Sequence, residues 1–147
     1  ETNANAAEPL ESAPASSPSD TERLITARIR SERIRTLFNA VRFFDAGRYP
    51  QAEAAAERVL AGDPRDTMAL TIAGAVRLRL NDPAGAVARF ASYVQHHPLE
   101  AMGHFYLGLS HHLAGDRDAA VAAYWTALLL DPGLQAARAN LDLLSGR

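Results

Sequence analysis

The side chains best equipped for chemistry in this 147-residue chain are five histidines and fifteen arginines, because it contains neither cysteine nor lysine. Without thiols there are no disulfides, no thiolate metal sites and no sulfur nucleophile. A metal would therefore have to be held by histidine and carboxylate. His104 and His111 lie two helical turns apart, about 10 Å along an axis, too far for one ion to bridge. His111 and His112 are neighbours whose side chains diverge on a helix, and His96 and His97 have no third ligand at a suitable spacing. Ser110-His111 is a chance adjacency for the same reason, and no Gly-rich phosphate loop or G-x-S-x-G elbow is present. The expectation is a chain without catalytic residues, metal site or cofactor. His112 remains a group whose titration could tune binding.

The arginines suggest recognition. Arg23, Arg28, Arg30, Arg33, Arg35, Arg42 and Arg48 face only Glu22, Glu32 and Asp45 over the same stretch. Arg28, Arg35 and Arg42 recur every seven residues and so share one helix face. That face could dock an acidic partner or anionic headgroups; a solvated exterior is the alternative. No aromatics are interleaved for stacking on bases, and the net charge of -2 with a pI near 6.2 gives no overall pull toward nucleic acid or anionic lipid. No apolar run is long enough to span a bilayer.

The elements that carry these residues follow from a repeat. Pro64, Pro98 and Pro132 recur at intervals of 34, as do Ala52, Ala86 and Ala120; Gly47, Asn81 and Gly115; and Leu60, Val94 and Leu128. Each period reads as two helices. Asp66 is placed to cap one that runs to about Leu80. Asn81 breaks it, and Asp82 at the N-cap with Pro83 at the first helical position starts the next. Gly115 and Asp116 repeat the punctuation, and Gly47 serves the first period. Ser19 and Glu22 form an S-x-x-E capping box, and no breaker follows before Asp45, so the first helix should reach roughly 25 residues and overhang the rest. Leu24, Ile25 and Ile29 give that overhang an apolar stripe able to fold back, pair with a second copy or meet a partner. Gly74, Gly108 and Ala40 sit mid-helix, where glycine costs about 1 kcal/mol relative to alanine unless close packing requires it. Ala52, Ala86 and Ala120 are assigned the matching positions on the facing helix, with Phe90, Tyr93, Tyr124, Leu107 and Leu128 filling the layers between.

This 34-residue helical pair, carried by FDAGRYPQAEAAAERVLAGDP, by LGLSHHLAGDRDAAVAAYWTALLLDP and more loosely by AGAVRLRLNDPAGAVARFASYVQHHP, resembles the tetratricopeptide repeat. The resemblance implies an all-α fold, a right-handed superhelical stack of antiparallel helix pairs. Its repeats would be 33–66, 67–100 and 101–134, with a capping helix at 134–144, all within a domain of residues 20–147. It also implies that the first helix of each pair lines a concave face. The groove positions would be Ile34, Leu37, Val41 and Phe44; Met68, Thr71, Ala75 and Leu78; and Met102, Phe105, Leu109 and His112. A surface so apolar would take an amphipathic helix or an extended peptide with apolar anchors, unless the chain's own helices or a second copy cover it. The family's clamp for a chaperone's C-terminal carboxylate uses Lys, Asn and Arg, where this chain has Leu37, Val41, Ile72, Met102 and Tyr106. That ligand is not expected.

Residues 1–19 are rich in Ala, Pro, Ser and Glu and are read as a disordered tether. A tether behind a start at Glu1 is the pattern of an exported, periplasmic or outer-membrane-associated protein with a lipid anchor upstream of residue 1; a linker from a larger protein is the alternative. Three function classes result: an adaptor in an envelope-associated assembly, a cytosolic chaperone for a secreted substrate similar to those of type III translocators, or an accessory domain of a larger enzyme.

Overall fold

The structure is a computed structural model that describes residues 17–146; most of the tether assigned to residues 1–19 lies outside them. The described residues form seven helices and no strand: α1 (Asp20–Asp45), α2 (Tyr49–Gly62), α3 (Thr67–Arg79), α4 (Pro83–His96), α5 (Ala101–Leu113), α6 (Arg117–Leu130) and α7 (Gln135–Ser145). Successive helices pack antiparallel, and α1 also touches α3 across the pair boundary.

Local chemistry sets the boundaries. Ser19 and Glu22 close a reciprocal capping box at the start of α1. Asp66, Asp82 and Asp116 each accept a backbone N–H three residues ahead, opening α3, α4 and α6. The turns inside the three pairs use left-handed residues at one frame position, Gly47, Asn81 and Gly115, with φ of 70°, 57° and 82°. Asparagine tolerates that region better than other side chains, which explains how it replaces glycine in the middle pair.

The buried column at Ala40, Gly74 and Gly108 has a sharper cause than the sequence reading assigned. The residues that require small neighbours are the rings four positions beyond the alanine column. A Cβ added at Gly74 would lie 2.5 Å from the Phe90 ring, and one at Gly108 would lie 2.8 Å from the Tyr124 ring. In the first pair the equivalent positions hold Ala40 and Ala56, both fully buried. Volume is thus exchanged between the two columns, glycine against a ring or alanine against alanine.

Two apolar clusters result. One runs through α1–α4, and the other joins α6 and α7. Helix α5 serves both: Tyr106 packs on the first and stacks on Phe90 with centroids 5.1 Å apart, while Phe105 packs on the second.

Tyr93 is buried, and its hydroxyl donates to Glu100 Oε2 at 2.5 Å, tying α4 to the start of α5. Burial, then the hydrogen bond and negative charge of Glu100, push this phenol above its ordinary value of 10. The folded state therefore favours the protonated phenol. The stability it contributes is complete below about pH 10 and is lost as pH rises from there toward the folded-state value. The melting temperature is expected to fall above about pH 10 more steeply than in Tyr93→Phe, measured by circular dichroism. Parallel curves for the two proteins would assign the alkaline loss to other groups.

Candidate functional site

His97 Nε2 lies 2.6 Å from the Arg65 carbonyl oxygen and His104 Nε2 lies 2.8 Å from that of Pro98, so both rings bind inter-repeat loops. His111 Nδ1 is 3.7 Å from Asp116 Oδ2 at the turn into α6. Among the described residues no three His, Asp or Glu side chains converge as metal ligands. No helix there is long and apolar enough to cross a membrane.

The twelve frame positions on α1, α3 and α5 divide into two sets. Ile34, Val41, Met68 and Met102 are exposed, and Thr71, Ala75, Leu109 and His112 are half-buried beside them. Val41, Phe44, Thr71 and Ala75 come together with Ile72 around a depression of about 150 Å³ between α1 and α3. The Thr71 hydroxyl donates to the Thr67 carbonyl, which spends its polarity on the helix itself. The second set is structural. Leu37 is only 6% exposed and belongs to the core. Phe44 and Leu78 pack on the first cluster and Phe105 on the second, leaving only part of each surface open. Leu37 and Phe105 are therefore supports of the groove more than contacts for a ligand.

Several residues that the sequence reading omitted belong to this surface. Phe38 is 63% exposed on α1. One period beyond Met102, Phe105 and Leu109 stand Ala136, Ala139 and Leu143, all exposed on α7. The 34-residue frame carries that information, and extending it one period past the third repeat finds them. None of these positions on α1, α3, α5 and α7 carries an Asp, Glu or Arg side chain. The surface offers no proton donor or nucleophile beyond His112 and Thr71, and its chemistry is the desolvation of apolar side chains.

The geometry of this surface depends on one buried carboxylate. Asp66, 2% exposed, accepts from Ala69 N at 2.9 Å and from Arg33 Nε at 2.5 Å. It caps α3 and holds α1 against it, and so fixes the spacing of the two walls. The basic positions Arg28, Arg35 and Arg42 are exposed on α1. Arg28 pairs with Glu32 at 3.2 Å, while Arg35 and Arg42 form no ion pair among the described residues.

A family model described as "Tetratricopeptide repeat" matches residues 39–88 and 73–135. Among solved structures, the chain is similar to the first TPR of Spaghetti (RPAP3) bound to an HSP90 peptide, with 18% identity and a TM-score of 0.74 over 79% of this chain and 92% of that one. It is similar to the second TPR domain of human RPAP3 in complex with an HSP70 peptide, with 19% identity and a TM-score of 0.74 over 80% and 98%. It also resembles the MamA protein, with 20% identity and a TM-score of 0.72 over 78% and 63%. No curated protein matches the chain.

Proposed function

Because this chain belongs to the tetratricopeptide-repeat family, we propose that it is a protein-interaction module whose concave groove holds an amphipathic helix or extended segment of a partner by apolar anchors. The observation that carries this reading is the uncharged surface from Ile34 and Val41 through Met68 and Ala75 to Met102 and Leu109, open to solvent between helices that a capped, ion-paired framework holds apart. The exposure of Ile34, Val41, Met68 and Met102 supports a binding role, and the two methionines can repack around different anchors. Two of the solved relatives hold HSP90 and HSP70 peptides. Here the positions that the family uses to clamp a peptide carboxylate are Leu37, Val41, Ile72, Met102 and Tyr106, so the partner is read through its side chains. The Ala-, Pro- and Ser-rich composition of residues 1–19 supports placing this adaptor in an envelope-associated assembly; fractionation of the native host tests the compartment.

A photo-crosslinking residue at Met102 in the native host, with Asp118 on α6 as control, is expected to capture one dominant protein that the control does not. Met68→Asp should reduce that capture about tenfold or more, since a buried unpaired charge costs several kcal/mol, and should leave helicity unchanged because Met68 is half exposed. Identical capture at both positions would dismiss the groove. Capture of the chain alone would make it a self-association surface.

A further inference from the structure

We propose a second interaction site on the opposite side of α1: the open furrow between α1 and α2 is a docking site for a helix with acidic flanks. The furrow is continuous. Two adjoining depressions of about 320 and 270 Å³ share Arg35, Thr36 and Arg58, and a third, of about 220 Å³, joins the second through Asn39 and Phe43. It runs along α1 from Ile29 to Ala46, about 25 Å at 1.5 Å per residue.

The molecule's own repetition shows what fits there. In the next two layers a helix lies against the corresponding wall, α2 on α3 and α4 on α5. In the middle layer the filling helix brings acids to the arginines it covers: Glu53 of α2 pairs with Arg77 of α3, and Glu57 of α2 pairs with Arg89 of α4 at 2.7 Å, whereas α4 carries no acid. No described helix precedes α1, and its side of the furrow is rewritten accordingly. Where α3 has buried Ala69, Ala73 and Val76, α1 has exposed Arg35, Asn39 and Arg42.

Charge and shape select the occupant. Arg35 and Arg42 on one wall and Arg58 on the other form no ion pair among the described residues. Arg48 Nε donates to Gln51 Oε1 at 3.0 Å, and its guanidinium sits 4.9 Å above the Phe43 ring. The furrow's acids are Glu32, already paired with Arg28, and Asp63 at one end. Ala54, Ala55 and Gly62 make the α2 wall small enough for a helix backbone to approach closely. The fit is a helix with a narrow small or apolar face and carboxylates on both flanks, contributed by another protein. The site is independent of the concave groove, so either can fail alone.

The test titrates the isotope-labelled full chain with a stapled helical peptide of about 14 residues, the length of α2 and α4, bearing an Ala/Leu face flanked by glutamates. A lysine-flanked counterpart and phosphatidylglycerol vesicles serve as comparisons. Amide shifts are expected at Thr36, Asn39, Ala54 and Ala55 with the glutamate peptide, weakening as salt rises. Arg35→Glu with Arg58→Glu should loosen binding about tenfold or more, Arg35→Lys with Arg58→Lys should retain most of it, and Met68→Asp should leave it unchanged. No binding by the glutamate peptide, equal binding by the lysine peptide, shifts confined to the Met68 and Met102 surface, or recruitment by vesicles alone would each overturn the proposal.

Discussion

Phe90→Ala is expected to destabilise the chain by about 3–5 kcal/mol and to lower its melting temperature by about 10–20 °C, the largest effect of any single truncation in the middle layer. The ring is 1% exposed, stacks on Tyr106 and fills the space above Gly74. A domain of this size has about 5–15 kcal/mol in total, so the loss is a large share. The partner substitution makes the prediction specific. Gly74→Ala alone would push a methyl to 2.5 Å from the ring and should cost about 1–3 kcal/mol. In the Phe90→Ala background that clash is gone, and the same change should instead stabilise by up to about 1 kcal/mol through helix propensity. Chemical denaturation of the four proteins measures the cycle. Additive effects would show that the ring and the glycine are not the coupled pair described.

The second large effect is expected at Asp66. Asp66→Ala removes the N-cap of α3, worth about 1 kcal/mol, and the charged hydrogen bond to Arg33, worth about 1.5–3 kcal/mol when the acceptor is buried. Arg33 is itself nearly half exposed, so its released guanidinium is solvated and the total should stay near 2–4 kcal/mol. Asp66→Asn keeps the cap and loses only the ion pair, and should fall between the two. Because this contact spans 33 residues and joins the groove walls, both variants should weaken groove ligands beyond their effect on the folded fraction. A variant that lost stability but bound the captured partner normally at low temperature would show that α1 keeps its place without the pair.

Much of this protein is written in short-range chemistry. The capping box at Ser19, the aspartate caps at Asp66, Asp82 and Asp116, and the left-handed turns at Gly47, Asn81 and Gly115 are interactions within a few residues. Each leaves a signature readable in one window of sequence, and the 34-residue spacing reports the stack because each pair must bury the same faces as its neighbour. The overall charge and the lack of thiols likewise bound the chemistry before any fold is considered.

Surface and support were a different matter. Met68 and Leu37 both occupy groove-facing frame positions and both are apolar, yet one is half exposed and the other lies in the core. Periodicity assigns a residue to a helix face but not the angle at which the next helix covers it. The glycine column was legible as a site of close packing, while the identity of the intruder, a ring from the following helix, depended on how the pair is set in depth. The Asp66–Arg33 pair and the basic furrow arise where helices distant in sequence meet, and no local pattern marks them. Composition and spacing alone determined the helices and their order; interhelical packing decided which apolar residues remain available to a partner, because exposure is a property of what covers a side chain and not of the side chain itself.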